Sequence, residues 1–277
     1  MEANKIKGEA KSLVLDNGVE LTYCEKGQQN KEIMVCGAFY FHTFMPVIDG
    51  LAQRYHVYGV IMRFDGKTSQ HNADGTVNWA KQWGKDIYDF TQKMQIKKFH
   101  YLGKCHGTVP GWYLFKNYPE LLIDLCSFFL APHLKPQTSN KWFNLMKGND
   151  TSAMMAAALR KPEEGLPKKM DEMASIGNSA SSPAIPIYAA SSEKIWDSLQ
   201  ECEKDLKNAK VPVGFMFGSE DPLFEDHYDS NMYAFKVTKG CHFTVLNGEK
   251  HLMELDCPQR VVDEAFAFID QAHKNYE

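Results

Sequence analysis

The feature that most limits the folds open to this chain is the alternation of short apolar runs with segments long enough to form helices. Residues 32–36 and 56–61 are two such runs, and residues 44–54 between them have the length of a helix. Residues 122–130 are almost continuously apolar, which is typical of a parallel strand covered on both faces. Because parallel strands need long crossover connections, the pattern predicts an α/β fold with a mostly parallel central sheet flanked by helices.

The first strands are expected to pair differently. The dipeptide Asn17-Gly18 lies between the alternating apolar runs 12–15 and 19–23, and it is the strongest short signal for a tight β-hairpin. The chain is therefore predicted to open with antiparallel strands.

A long insertion interrupts the alternation before the late strands. Residues 134–210 hold Lys, Glu, Ser, Asn and several Met, with helix-compatible stretches at 153–159 and 192–207. We therefore predict a helical insertion at 134–210, inserted into an α/β core formed by residues 1–133 and 211–277.

The strand pattern returns after this insertion. Residues 211–217 form the first late strand, and the next one is either 233–237 or 242–246, because both runs are short and apolar. A helix over 258–272 is predicted to close the fold.

A pentapeptide of the form Gly-x-Cys-x-Gly occupies residues 103–107. It follows the strand-like run 98–102 and precedes a helix-compatible segment that ends at Tyr118, so it predicts a strand, a sharp turn and a helix. A nucleophile on such a turn has a strained backbone, and glycines flank it because side chains there would collide with neighbouring elements. Cys105 is therefore a candidate nucleophile, with a buried structural cysteine as the alternative.

Composition limits the partners and the compartment. The 277 residues carry a net charge of −4 and contain no long Lys or Arg run, so no nucleic-acid partner is expected and a small-molecule partner is favoured. The N-terminus lacks the apolar region of a signal peptide, and no stretch approaches the length of a membrane span. These features indicate a cytoplasmic protein with no membrane partner, and they leave a homodimer open.

The cysteines argue against a disulfide framework. There are seven, an odd number, and they show neither a Cys-x-x-Cys pair nor the Cys/His spacing of a zinc site. The thiols are therefore predicted to be reduced, and neither a metal nor a cofactor is expected.

The order of these features resembles the α/β-hydrolase fold superfamily over residues 13–269. That superfamily places its nucleophile at a Gly-x-nucleophile-x-Gly elbow, its acid after a later strand, and its histidine in a loop before the last helix. Residues 218–221, Gly-Ser-Glu-Asp, resemble the acid turn, and residues 248–251, Gly-Glu-Lys-His, resemble the histidine loop. The resemblance implies a divergent member with a triad of Cys105, His251 and Asp221.

The chemistry asks for the same residue types. A free thiol, with a pKa of about 8.5, is only a few per cent thiolate at neutral pH. His251 is expected to take the proton of Cys105 and later to protonate the leaving group, while Asp221 fixes the imidazole tautomer. The alternative makes Asp221 a helix cap and His251 a surface residue. The neighbouring carboxylates Glu220 and Asp226 are expected to be exposed.

The resemblance also implies two backbone donors for an oxyanion. They are the N–H of His106 and the N–H of Ala38 or Phe39, which follows the first buried strand. The superfamily usually has His-Gly before this second position, whereas this chain has Cys36-Gly37. The His106 side chain is a secondary candidate for contact with the substrate.

The function implied by the resemblance is a cofactor-independent hydrolase that works through a cysteine acyl-enzyme. Its substrate is an ester, lactone or thioester of a small, largely apolar molecule, with an extension to carbon–carbon bonds next to a ketone. The insertion at 134–210 would roof the site as a helical cap, and Phe39, Trp142 and Met154 are candidate substrate contacts. The elbow cysteine resembles those of dienelactone hydrolases and polyester synthases.

Three alternatives remain open at this stage. An acyltransferase uses the same acyl-enzyme, a lyase or isomerase uses His251 as a base without covalent catalysis, and a receptor keeps the pocket but turns over slowly.

Overall fold

The computed structural model describes residues 11–38, 41–63, 77–147, 151–160 and 192–275. Its centre is a single sheet of strands that lie in the order β1-β2-β4-β3-β5-β6-β7-β8. The strands are β1 (Lys11–Val14), β2 (Glu20–Lys26), β3 (Ile33–Ala38), β4 (His56–Ile61), β5 (Phe99–Lys104), β6 (Leu122–Phe128), β7 (Val213–Gly218) and β8 (His242–Leu246).

The pairing of these strands confirms a mostly parallel sheet. β2 pairs antiparallel with β1 and with β4, and all pairings from β4 across to β8 are parallel. The predicted hairpin is present, with Gly18 at a φ of +82° and the Val19 N–H bonded to the Asn17 side chain. Because the parallel strands run in one direction, their carboxyl ends meet at one edge of the sheet, where ligands bind in open α/β folds.

Helices connect the strands and flank the sheet. Within the described ranges, none of them combines the length and apolarity needed to cross a membrane. The helices are α1 (Phe41–Leu51), α2 (Trp79–Lys93), α3 (Thr108–Asn117), α4 (Lys141–Lys147), α5 (Thr151–Ala158), α6 (Leu199–Lys207), α7 (Pro222–Asp226), α8 (Tyr228–Val237), α9 (Met253–Asp256) and α10 (Pro258–Asn275).

Two hydrophobic clusters cover the two faces of the sheet. One contains Trp83 of α2 and Trp112 of α3, and the other contains Phe44 of α1 and Val262 of α10. Alternate residues of the central strands point into opposite clusters, as the pleat of a strand requires. The result is a three-layer arrangement of helices, sheet and helices.

Two sequence expectations are resolved by the structure. Residues 233–237 belong to a helix, α8, and 242–246 form the strand β8. The helix-compatible stretch 192–207 was expected as one unit, but it is divided into a 3-10 turn, Ser192–Ile195, and α6. The division occurs because the Ser198 hydroxyl caps the first turn of α6, where a serine favours a new helix start.

The structure describes two separate parts of the insertion at 134–210. Its first part holds α4 and α5. In its last part, Trp196 and Leu206 pack in the same cluster as Trp112 of α3. The boundaries between core and cap stay a prediction.

Candidate active site

The turn at Cys105 joins β5 directly to α3. Residues Cys105–Gly107 form one 3-10 turn, so the predicted strand, turn and helix are present. Cys105 has a φ of +51°, in a region that costs a residue with a side chain about 1–3 kcal/mol. A Cβ on Gly103 would lie 2.5 Å from Thr108 Cα and closer still to the Gly107 carbonyl. Glycine is therefore required before the turn, and the thiol stands at the carboxyl edge of the sheet.

A buried tyrosine fixes this turn from the strand side. The Tyr101 hydroxyl donates a 2.6 Å hydrogen bond to the Gly107 carbonyl, and its ring lies in the core. A Cβ on Gly37 would lie 2.8 Å from the same carbonyl, so β3 also approaches the turn closely. The sequence identifies Tyr101 only as a strand residue. A ring with a hydroxyl group in a buried strand is the one sequence feature that could have indicated its hydrogen bond to the turn.

The acid and the imidazole expected from the late motifs lie together. Asp221 follows β7, and its Oδ2 lies 2.9 Å from His251 Nδ1. Its Oδ1 accepts a 2.8 Å hydrogen bond from the Leu223 N–H, so Asp221 also caps α7. His251 is buried rather than on the surface. Because Asp221 occupies Nδ1, the Nε2 edge of the ring is the one left to face other groups.

The charges around Cys105 favour a thiolate. Burial by itself would raise the pKa of the thiol, but the charges and hydrogen bonds of His106 and His251 outweigh it and hold the pKa of Cys105 well below its usual value. Burial would likewise lower the pKa of His251, whereas the charge and hydrogen bond of Asp221, with help from the thiolate, raise the pKa of His251 to about 10. Both shifts favour the thiolate–imidazolium form of the pair over the neutral thiol and imidazole.

The His106 side chain reaches the same sulfur. Its Nδ1 lies 3.2 Å from Cys105 Sγ, and the ring is half-buried. The sequence had given this side chain only a secondary place, as a contact to the substrate. The structure instead brings two imidazoles to one thiol.

Aromatic rings stand beside His251. The ring centroids of Phe129 and Trp142 lie 5.0 Å and 4.8 Å from that of the imidazole. Phe129 follows β6 and has a φ of +68°, a second strained residue at this edge of the sheet. Trp142, one of the candidate substrate contacts, thus adjoins the imidazole. Met154, another, is half-buried in α5.

Asp226 is buried, which corrects the expectation that it is exposed; Glu220 is exposed as expected. The Asp226 carboxylate accepts hydrogen bonds of 2.7 Å from the Lys141 N–H and 2.9 Å from the Trp142 N–H, in the first turn of α4. The Ser139 hydroxyl donates a third. The partners lie about 85 residues away in the sequence, so no local pattern indicated this burial.

The loop that carries His251 is fastened to the end of β7. The Glu220 N–H donates a 2.9 Å hydrogen bond to the Glu249 carbonyl, and a Cβ on Gly218 would lie 2.7 Å from that carbonyl carbon. The buried Glu249 carboxylate accepts hydrogen bonds from Arg160 at 2.7 Å and Arg260 at 3.1 Å. The end of β7 therefore positions the acid and the histidine loop together.

Helix α5 of the insertion binds the same loop. The Leu252 N–H donates a 2.8 Å hydrogen bond to the Ala158 carbonyl, and Lys250 Nζ donates one of 2.8 Å to the Ala156 carbonyl. Leu252 also packs against Leu159. The described start of the insertion is thus in direct contact with the residues around His251.

A buried ion pair lies next to Cys105. The Lys104 ammonium group binds the Glu254 carboxylate, and the two side chains are only 2% and 0% exposed. Thr43 Oγ1 donates a 3.2 Å hydrogen bond to the same carboxylate oxygen. Lys104 occupies a variable position of the Gly-x-Cys-x-Gly pattern, so the sequence did not indicate its burial.

The two expected oxyanion donors belong to neighbouring elements. Ala38 pairs with Lys104 in the parallel register of β3 and β5, so its backbone ends beside the turn. His106 is the middle residue of the turn itself. Phe39, the alternative donor and a candidate substrate contact, lies outside the described residues.

Across the parts of the chain that the structure describes, no three His, Cys, Asp or Glu side chains are grouped so as to hold a metal ion.

The order of the sheet, the strained turn after β5, and the acid and histidine that follow β7 and β8 define the α/β-hydrolase fold. Solved structures match nearly the whole chain. A serine hydrolase, CCSP0084, from the polyaromatic hydrocarbon-degrading bacterium Cycloclasticus zankles has a TM-score of 0.74 at 16% identity, covering 94% of this chain and 98% of that one.

Two further structures carry more specific names. The esterase RhEst1 from Rhodococcus sp. ECU1013 has a TM-score of 0.71 at 17% identity, covering 95% of this chain and 99% of that one. The enol-lactonase from Burkholderia xenovorans LB400 has a TM-score of 0.68 at 15% identity, covering 94% and 100%. No protein-family model matches the sequence, and no curated protein matches it significantly. The likeness therefore establishes the fold.

Proposed function

We propose that this protein is a hydrolase that cleaves an ester, lactone or thioester of a small, largely apolar molecule through a cysteine acyl-enzyme. Cys105 is the nucleophile, His251 the acid and base, and Asp221 the residue that holds the imidazole. One observation carries the proposal: a thiol on a strained turn interacts with an imidazole whose other nitrogen is bonded to a buried carboxylate.

Acylation begins from the charged pair. The Cys105 thiolate attacks the carbonyl carbon, a C–S bond forms, and the carbonyl electrons move to oxygen. When the intermediate collapses, the bond to the leaving oxygen or sulfur breaks, and His251 gives its proton to that group. Asp221 keeps Nδ1 occupied, so the proton leaves from Nε2.

Deacylation reverses these roles. His251, now neutral, takes a proton from water, and the hydroxide oxygen forms a bond to the acyl carbon. The C–S bond then breaks, which returns the thiolate and releases the acid, and His251 is again protonated. No step requires a cofactor.

Backbone donors are proposed to stabilise the oxyanion in both halves. The His106 N–H lies on the turn itself, and Ala38 ends β3 beside this turn, with Phe39 as the next residue in the sequence. Each such donor, when preorganised, contributes on the order of 3–4 kcal/mol to the transition state.

The insertion at 134–210 is proposed to form a helical cap over this site. The ring of Trp142 beside His251 and the hydrogen bonds that the histidine loop donates to carbonyls of α5 support this assignment. Phe39, Trp142 and Met154 are proposed to line an apolar pocket for the acyl group. The names of the structural neighbours, a serine hydrolase, an esterase and an enol-lactonase, support the substrate class.

The test is a substrate panel with intact-mass detection. Wild type, Cys105→Ala and Cys105→Ser are incubated with aryl esters, lactones and acyl thioesters. We expect turnover by wild type, a transient mass increase equal to the acyl group on Cys105, and no turnover by Cys105→Ala. Equal turnover by Cys105→Ala refutes the covalent mechanism. Transfer of the acyl group to added alcohols in preference to water assigns the protein to the acyltransferases instead.

A further inference from the structure

The His106 side chain has no part in the reaction described above, which uses only its backbone N–H. Its Nδ1 nevertheless lies 3.2 Å from Cys105 Sγ. Side chains at adjacent positions do not face each other in a regular helix. Here the φ of +51° at Cys105 interrupts that geometry, and the two neighbouring side chains meet.

The charged groups near the sulfur come from several elements. His106 lies on the turn, and His251 interacts with the sulfur from the loop after β8. Asp221, after β7, bonds the far nitrogen of His251. Lys104, at the end of β5, is paired with Glu254 of α9. The sulfur therefore interacts with two imidazoles, while the Lys104 ammonium group is neutralised by its own carboxylate partner.

We propose that the His106 imidazole is a second catalytic group, whose Nδ1–H donates a hydrogen bond to the Cys105 thiolate. The inference rests on the proposed function, because it concerns the nucleophile of that reaction. Burial opposes a charged sulfur, and the interactions with His106 are the largest of those that lower the pKa of Cys105 against it.

His251 and His106 have different roles at the sulfur in this proposal. His251 gives its proton to the leaving group during acylation, so its charge is not available throughout the cycle. No step of the proposed reaction transfers the Nδ1–H of His106, so this group stabilises the sulfur both in the resting thiolate and when the C–S bond breaks during deacylation. A stabilised thiolate is more abundant at neutral pH, but its nucleophilicity falls with its pKa with a Brønsted coefficient of about 0.4–0.5.

The experiment measures the thiolate rather than turnover. The rate at which 2,2′-dithiodipyridine modifies Cys105 is recorded against pH for wild type, His106→Phe and His106→Asn. We expect His106→Phe to raise the apparent pKa of Cys105 by about 1 or more. Its rate on the high-pH plateau should also rise, about threefold for each step of 1 in that pKa. His106→Asn, whose amide N–H lies near the position of Nδ1, should restore part of the low pKa.

A matched control comes from another half-buried histidine. His242 begins β8, so it lies at the amino ends of the parallel strands, whereas Cys105 lies at their carboxyl ends. We therefore expect His242→Phe to leave the pH profile of Cys105 modification unchanged. Reaction of the other cysteines is subtracted with Cys105→Ala. An unchanged pKa in His106→Phe, or an equal rise in the Phe and Asn variants, overturns the proposed hydrogen bond.

Different variants test the role of His106 and the proposed function. Ester hydrolysis by Cys105→Ala at the wild-type rate rejects the proposed function, whatever the thiolate profile. An inactive Cys105→Ala variant together with a wild-type profile in His106→Phe rejects the role of His106 alone.

Discussion

The neighbours of Cys105 and His251 determine how these two side chains are protonated. The pKa of Cys105 is lowered and that of His251 is raised to about 10, so both shifts favour the charged pair over the neutral one. Burial disfavours both charges, and Asp221 provides the largest compensation for the imidazolium. A carboxylate outside the contacts of the sulfur therefore contributes, through His251, to how much thiolate is present.

Asp221→Asn tests this control. The amide keeps the size of the side chain but removes its charge, so we expect the pKa of His251 to fall and the thiolate fraction at pH 7 to fall with it. By the precedent of serine triads, kcat should drop on the order of 10⁴-fold. NMR titration of His251 and steady-state kinetics measure the two effects. Asp229→Asn, an exposed neighbour in α8, is the control, and an unshifted His251 contradicts the interpretation.

The same protons predict how stability depends on pH. The folded pair holds one proton, because His251 retains it up to about 10 and Cys105 has lost it. With the ordinary pKa values of 6.5 and 9.0, the unfolded chain holds two protons below pH 6.5, one between these values and none above 9.0. The contribution of the pair should therefore rise up to pH 6.5, stay level to 9.0 and then decline.

Urea unfolding of wild type and of the Cys105→Ala/His251→Gln variant measures this contribution as a difference in unfolding free energy. A difference that falls steadily from pH 6.5 to 9.0 contradicts the charged pair.

The residues of the site lie at the ends of helices and strands. Asp221 caps α7, the turn of Cys105 precedes α3, and Asp226 binds the first two N–H groups of α4. The first N–H groups of a helix lack partners within it, so a buried carboxylate there fixes the start of the helix. Asp226 thereby also fixes Trp142, which stands beside His251.

Removal of this cap should affect substrate binding as well as stability. We expect Asp226→Ala to lower the free energy of unfolding by about 0.5–2 kcal/mol, typical of a lost cap, and to raise KM because Trp142 is no longer held. Ser198→Ala removes the cap of α6 and is the matched control, with a similar loss of stability and unchanged KM. Unfolding by urea and steady-state kinetics distinguish the two. An unchanged KM in Asp226→Ala contradicts the role given to α4.

At the scale of the whole molecule, the site depends on contacts between distant parts of the chain. Lys104 and Glu254, 150 residues apart, form a buried ion pair that connects β5, the strand before Cys105, to α9, the helix after His251. Two charges removed from water are tolerated because each neutralises the other. The pair thus fixes the distance between the two halves of the site without contributing much net stability.

A double-mutant cycle tests this pair. Lys104→Met and Glu254→Leu each leave one charge buried and alone, and we expect each to lower the free energy of unfolding by about 3–5 kcal/mol. Lys104→Met/Glu254→Leu removes both charges and should recover most of that loss. Lys81→Met breaks an exposed pair with Asp197 and should cost less than about 1 kcal/mol. Additive losses in the double variant contradict the coupling.

Local patterns in the sequence were enough to predict the features that depend on near neighbours. The alternation of runs specified the mostly parallel sheet, Asn17-Gly18 specified the first hairpin, and the glycine pattern around Cys105 specified the strand, turn and helix. Asp221 and His251 were expected from short motifs whose order along the chain resembles a known superfamily, and the structure brings them within 2.9 Å of each other. Such patterns are readable because period and turn chemistry act over a few residues.

Contacts that form when the chain folds determine which charged groups are buried and which groups face the sulfur. Asp226 was expected to be exposed, and Lys104 gave no sign of its ion pair, because in both cases the partner lies far away in the sequence. The ring of His106 adjoins Cys105 in the chain, yet its contact with the sulfur depends on the backbone angle at the turn. Burial of a charge is favourable only when a specific partner is present, and the fold alone supplies that partner.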